Sequence, residues 1–157
     1  MTQTSTNARS PWTSFDNIVV GTSFQGFGRT VTDAEITMMT AMTTGFHQPL
    51  HTDSQWIAKH TEFKGVLLPG PIIIAYAIGL LSATLVYSGV TIAFLGIDKV
   101  RSKTPVYGGD TITPTATVKS KRLTSNPARG IVELDIAVSN QRSEEVQSFI
   151  YTLMVRV

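Results

Sequence analysis

The sequence predicts an α+β domain in which one long apolar helix lies against a run of antiparallel strands. Three observations carry this expectation. Residues 65–97 hold no charged side chain and are entered through Pro69-Gly70-Pro71. Two cap signals, Thr32-Asp33-Ala34-Glu35 and Thr52-Asp53-Ser54-Gln55, announce helices before that run. Beyond it, Thr111, Thr113, Thr115 and Thr117 alternate with Ile112, Pro114, Ala116 and Val118, the period of a strand with one buried face. Short strands and helices, a long helix, then strands describe a single pair of packed layers.

The elements follow in order. Residues 1–12 are polar and rich in Ser and Thr, without the apolar stretch of a secretory signal, and are expected to form a flexible arm ahead of a single domain at 13–157. The first helix should start near Asp33 and run through Met38, Met39 and Met42 to Gly45, its methionines lining the core. The second opens at the Thr52 box and ends near His60. The third begins at Gly70 or Pro71, where proline's missing N–H is not needed. It should reach Tyr87, with Ser88-Gly89 stopping it and Ala75, Ala77, Gly79 and Ala83 letting the sheet approach.

The same apolar run is long enough to suggest a membrane span. No basic cluster or Trp stands immediately at either end, and a helix apolar all round also suits the centre of a soluble domain. No membrane association is expected. Strands are expected at 90–97 and 99–106, followed by a turn at Tyr107-Gly108-Gly109-Asp110. The threonine-alternating strand comes next, with Pro114 at an edge or bulge. Strands at 131–139 and 145–157 flank a turn near Asn140.

Composition narrows the function. With 42% hydrophobic and 15% charged residues among 157, the chain can bury one core. Thirteen basic against eleven acidic residues leave +2, scattered from Arg9 to Arg156, which gives no footprint for nucleic acid. The absence of Cys excludes disulfides, thiolate metal sites and thiol nucleophiles. No metal is expected, and the expected location is cytoplasmic.

The chemistry concentrates in Thr44-Gly45-Phe46-His47-Gln48-Pro49-Leu50-His51. This stretch resembles the signature T-G-D-x-N-P-x-H of the MaoC-like dehydratases and (R)-specific enoyl-CoA hydratases. Thr104-Pro105-Val106 with Gly108-Gly109-Asp110-Thr111 resembles that family's P-V-x-x-G-D-T turn. Gly28-Arg29-Thr30-Val31-Thr32 resembles the strand entering its first helix, and Asn140-Gln141 a frequent late pair.

The resemblance implies a hotdog fold, an antiparallel sheet wrapped around one long helix, and water addition to or removal from an acyl thioester. It implies His51 as acid and base, and the backbone N–H of Gly70, at a helix N-terminus, as donor to the thioester oxygen. Phe46 stands where the family has its catalytic Asp, Gln48 where it has Asn, and Pro69 where it often has His. Gln48 could position water, and His47 is a replacement base. Phe46, Pro69 and Tyr76 are expected to border the substrate. No cofactor is implied beyond the coenzyme A or carrier-protein thioester of the substrate.

Other readings stay open. Pro69-Gly70-Pro71 can be a rigid helix start with no chemical task, His51 a core histidine, and Asp53 a helix cap. Lys99, Arg101 and Lys103 share a strand face by period two and either meet phosphates or guard a sheet edge. A homodimer or higher assembly is expected. The alternatives are a degenerate subunit paired with an active MaoC-like chain, and thioester hydrolysis or isomerisation.

Overall fold

The computed structural model describes residues 11–43 and 48–157. Helix α1 (Asp33–Met42) begins as its capping box requires. Thr32 Oγ1 accepts from the Glu35 N–H at 3.2 Å, and the Glu35 carboxylate accepts from the Thr32 N–H at 2.9 Å. Met39 packs against the core, but Met38 and Met42 are exposed and line nothing inside. The expected extension to Gly45 lies outside the described residues.

A 3₁₀ turn at Pro49–His51 leads into α2 (Ser54–His60). The cap of α2 is Asp53 rather than Thr52. Its carboxylate accepts from the N–H groups of Gln55 and Trp56 at 3.0 and 2.9 Å, two donors that the helix itself cannot satisfy.

Helix α3 (Gly70–Ser82) is shorter than expected. The stop is not Ser88-Gly89. Leu85 adopts a φ of 62°, which reverses the chain, and the Tyr87 hydroxyl lies 2.6 Å from Ser82 Oγ across the turn. Burial is also one-sided: Ile72, Ile73, Ala77 and Leu81 face the core, whereas Ala75, Gly79 and Ala83 are exposed. Of the four small residues, only Ala77 meets the expectation. The close approach comes from Gly26, where a Cβ would lie 2.8 Å from the Pro114 ring and 3.1 Å from the Leu80 backbone.

The sheet runs antiparallel in the order β1 (Ser23–Gln25), β4 (Thr111–Leu123), β5 (Arg129–Asn140), β6 (Glu145–Arg156), β3 (Thr91–Ser102), with β2 (Arg29–Thr30) also on β4. The two strands expected at 90–97 and 99–106 are one. Register shifts along β3, and a φ of 53° at Lys99, show bulges where a chain break was expected. The bulge between Asp98 and Arg101 also interrupts the alternation that would have put Lys99, Arg101 and Lys103 on one face.

Pro114 sits opposite the gap between β1 and β2, where the Gly26 N–H donates to its carbonyl at 2.8 Å. N–H and C=O of one strand residue point the same way, so the donor that proline lacks would have faced that gap.

The core joins α3 to the inner face of the sheet through Ile72, Ala77 and Leu81 against Ala116, Leu134 and Ile136. A sheet curved about one central helix is the hotdog fold. Trp12, grouped with the arm by its sequence, belongs to this core: it is buried and its N–H donates to Val86 O at 2.7 Å. At the far side β3 is an edge, with Ile92, Phe94, Leu95 and Val100 exposed. No helix among the described residues is long and apolar enough to cross a membrane.

Candidate active site

Pro49 starts the 3₁₀ turn with its φ already set for a helical turn. The turn closes by bonds from His51 N to Gln48 O at 2.9 Å and from Asp53 N to Pro49 O at 2.9 Å. The Asp53 cap then starts α2 at once, so His51 is held between the 3₁₀ turn and a capped helix. A strap at residues 65–68 runs beside it, tied by Leu67 N to Leu50 O at 3.0 Å and by Leu68 N to Val106 O at 2.9 Å.

The strap orients the imidazole. His51 Nδ1 lies 2.8 Å from Leu67 O. A carbonyl only accepts, so Nδ1 carries the hydrogen, and in the neutral ring Nε2 is the basic nitrogen.

Gly70 is the first residue of α3, with Pro69 as its cap and Pro71 following. Its N–H has no hydrogen-bond acceptor among the described residues. The helix dipole and this orphan donor favour negative charge at that point. His51 and Gly70 line one cavity of about 260 Å³ together with Leu67, Ile73, Ser102 and Val106. A second cavity of about 390 Å³ is also lined by His51, with Ile36, Thr40 and Ala41 of α1 and Val66 of the strap. An imidazole at the junction of an apolar space and a helix N-terminus can move a proton beside a carbonyl held by the helix.

Other expected site residues fall elsewhere. Phe46 and His47 lie outside the described residues. Gln48 is exposed and contributes its carbonyl to the turn, while its side chain makes no cap bond. Pro69 is buried behind Gly70. Tyr76 turns toward the start of α1, its hydroxyl 3.4 Å from Glu35 and its ring 5.5 Å from the Arg29 guanidinium, and it lines neither cavity of His51. The Arg29 guanidinium, bonded to Glu35, holds that carboxyl at about 2.

Lys103 pairs with Glu145 at 2.9 Å, and Arg101 bonds its neighbour's carbonyl. A cleft of about 610 Å³ between Asp33, Lys64, Asp110 and Arg142 contains neither His51 nor Gly70. There burial pushes the Asp110 carboxyl up, but bonds from Gln141, the Tyr107 N–H and Arg142 outweigh it and hold the group below its ordinary value. Among the described residues no group of three or more His, Asp or Glu could hold a metal ion.

Sequence reasoning missed Ser102 and Gln147. The available signal was Gln147 itself, an amide beside Ser148 in a strand that is mostly apolar.

A family model described as MaoC like domain matches residues 17–140. The chain belongs to the MaoC-like family. Among solved structures it is similar to a monoamine oxidase regulatory protein from Archaeoglobus fulgidus, at 34% identity and TM-score 0.84, covering 95% of this chain and 97% of that one. It is also similar to a MaoC-like dehydratase from Rhodospirillum rubrum, at 26% identity and TM-score 0.77, over 91% and 96% of the two chains. The HadBC complex from Mycobacterium tuberculosis, a 3R-hydroxyacyl-ACP dehydratase, shares the fold at 15% identity and TM-score 0.72, over 88% and 98%. No curated protein sequence matches the chain at a significant level. Relatives with this hotdog fold thus include a complex between different chains.

Proposed function

We propose that this MaoC-like protein adds water to, or removes it from, an acyl thioester carried on coenzyme A or a carrier protein, without a further cofactor. The observation that carries the reading is the His51–Leu67 bond, which gives a family-placed histidine the tautomer a general base needs. In the hydration direction, His51 Nε2 takes a proton from water as the water oxygen bonds to the β-carbon of a 2-enoyl thioester. The electron pair moves to the thioester oxygen, where the Gly70 N–H stabilises the enolate. The imidazolium then returns its proton to the α-carbon, and a 3-hydroxyacyl thioester results.

Incubating the protein with a panel of 2-enoyl thioesters and following loss of the conjugated absorbance tests this. Turnover abolished by His51→Ala is the expected result. Turnover untouched by that change, or none on any member of the panel, overturns it.

Phe46 favours a second reading. A ring in place of the family Asp cannot accept a proton, so the chain would bind an acyl thioester and pair with a MaoC-like partner carrying the intact signature. Purification of a stable mixed dimer whose activity survives His51→Ala would favour that reading. For the single chain we propose a homodimer. The open β3 edge with Ile92, Phe94 and Leu95 exposed supports it, since a second copy would both complete the hydrogen-bond ladder and cover the apolar side chains.

A further inference from the structure

Gln147 is a buried amide, 1% exposed, in the middle of three elements. Its Nε2 lies 3.2 Å from Gly70 O and 2.9 Å from Ser102 Oγ, while its Oε1 is buried with no partner among the described residues. The Gly70 carbonyl can only accept, which turns the NH₂ end of the amide toward it, and each of the two hydrogens serves one oxygen. Nε2 has no lone pair to offer, so Ser102 Oγ is the acceptor in its bond. The hydroxyl hydrogen of Ser102 must therefore point away from Gln147.

Ser102 is exposed at the end of β3 and lines the same cavity of about 260 Å³ as His51 and Gly70. Its oxygen would lie only 3.5 Å from a Cβ placed on Gly70, which sets it beside the first turn of α3. An amide left half-satisfied in an apolar layer is costly, and the arrangement it maintains is an oriented hydroxyl at the mouth of a helix N-terminus.

We propose that Ser102 is a second donor to the substrate's thioester oxygen, acting beside the Gly70 N–H, and that Gln147 is the positioning residue that turns the hydroxyl toward it. The same amide, by holding the Gly70 carbonyl, fixes the peptide from which α3 starts. This inference rests on the acyl-thioester reading given above.

The test uses the full chain and the variants Ser102→Ala, Ser102→Thr and Gln147→Leu, each checked by thermal melting. Hydration of crotonyl-CoA gives kcat and KM, and calorimetry gives the affinity for the unreactive butyryl-CoA. Removing one donor to a developing oxyanion costs roughly 10²-fold in kcat. Ser102→Ala should therefore lose about that much in kcat with KM raised only several-fold, and Ser102→Thr, which keeps the hydroxyl, should recover most of both. Butyryl-CoA should bind several-fold more weakly to Ser102→Ala.

If Gln147→Leu folds, its loss should not add to that of Ser102→Ala, because the two act as a unit. Wild-type kcat and affinity in Ser102→Ala, or equal losses in the Ala and Thr variants, overturn the proposal. If the wild-type protein hydrates nothing, the hydratase reading falls, and butyryl-CoA affinity alone decides the role of Ser102. If it binds no acyl-CoA at all, both fall.

Discussion

The Nδ1 of His51 is 2.8 Å from the carbonyl oxygen of Leu67, a residue on the strap that leads directly into α3. His51 and the helix N-terminus are thus positioned by one short stretch of backbone. Shifting the strap would move the imidazole and the Gly70 N–H together.

This coupling leads to the first prediction. His51→Ala should remove enoyl-thioester hydration, a loss of at least about 10²-fold, while the affinity for a saturated acyl thioester falls little, because the carbonyl is held by Gly70. Phe46→Asp should raise hydration by restoring the carboxylate of the family signature. Steady-state kinetics and calorimetry on the two variants check this.

Acid should weaken the fold through the start of α1. The Glu35 carboxyl is held at about 2 by Arg29 and the Thr32 N–H, below its ordinary 4.5. A depressed carboxylate contributes stability that is fully present above its unfolded value and is lost as pH falls from about 4.5 through 2. With the Arg29 side chain 50% exposed, solvent screening limits the contribution to about 1 kcal/mol. Glu35→Gln should remove that part of the acid dependence in urea melts between pH 5 and 2 while leaving the cap able to form.

Leu81 and Ile74 should differ although both lie on α3. Leu81 is fully buried and Ile74 only partly so. Leu81→Asp places an unpaired charge in the core, costing several kcal/mol, and should abolish cooperative unfolding. Ile74→Asp should fold with a lowered midpoint. Circular dichroism melts distinguish the two.

Gly26→Ala tests the contact between α3 and β4. The added methyl would press on the Pro114 ring and the Leu80 backbone, and a main chain held in a helix cannot yield cheaply. Overpacking of this kind costs about 1–3 kcal/mol, read as a lower denaturation midpoint without loss of secondary structure.

Phe94→Glu should reduce the proposed homodimer to a monomer. Phe94 is 56% exposed on the open β3 edge and stacks on Tyr151. A charge there would oppose its own copy across a two-fold axis. Sedimentation at micromolar concentration should then report half the wild-type mass.

Much of the fold was legible because periodicity reflects burial. The threonine face of β4 and the Thr32–Glu35 box follow from local rules and appear as expected. The end of α3 was not legible, since it depends on Leu85 accepting a left-handed φ that nothing in its side chain advertises. The unity of β3 was hidden for a similar reason: bulges at Leu95 and around Lys99 look like breaks until a partner strand spans them. At the site, His51 and Gly70 stood out through their neighbours in sequence. Ser102 and Gln147 meet only through the register of β6 on β3, which no local pattern encodes.

The strand order has a consequence for synthesis. Strand β3 is made before β4 and β5, yet its neighbour in the sheet is β6. Until β6 emerges from the ribosome, an apolar strand has both edges open and Gly70 has no amide to hold its carbonyl. A nascent chain must therefore carry an exposed, pairing-competent strand through the making of two further strands, the interval in which capture by a chaperone or by another chain is easiest.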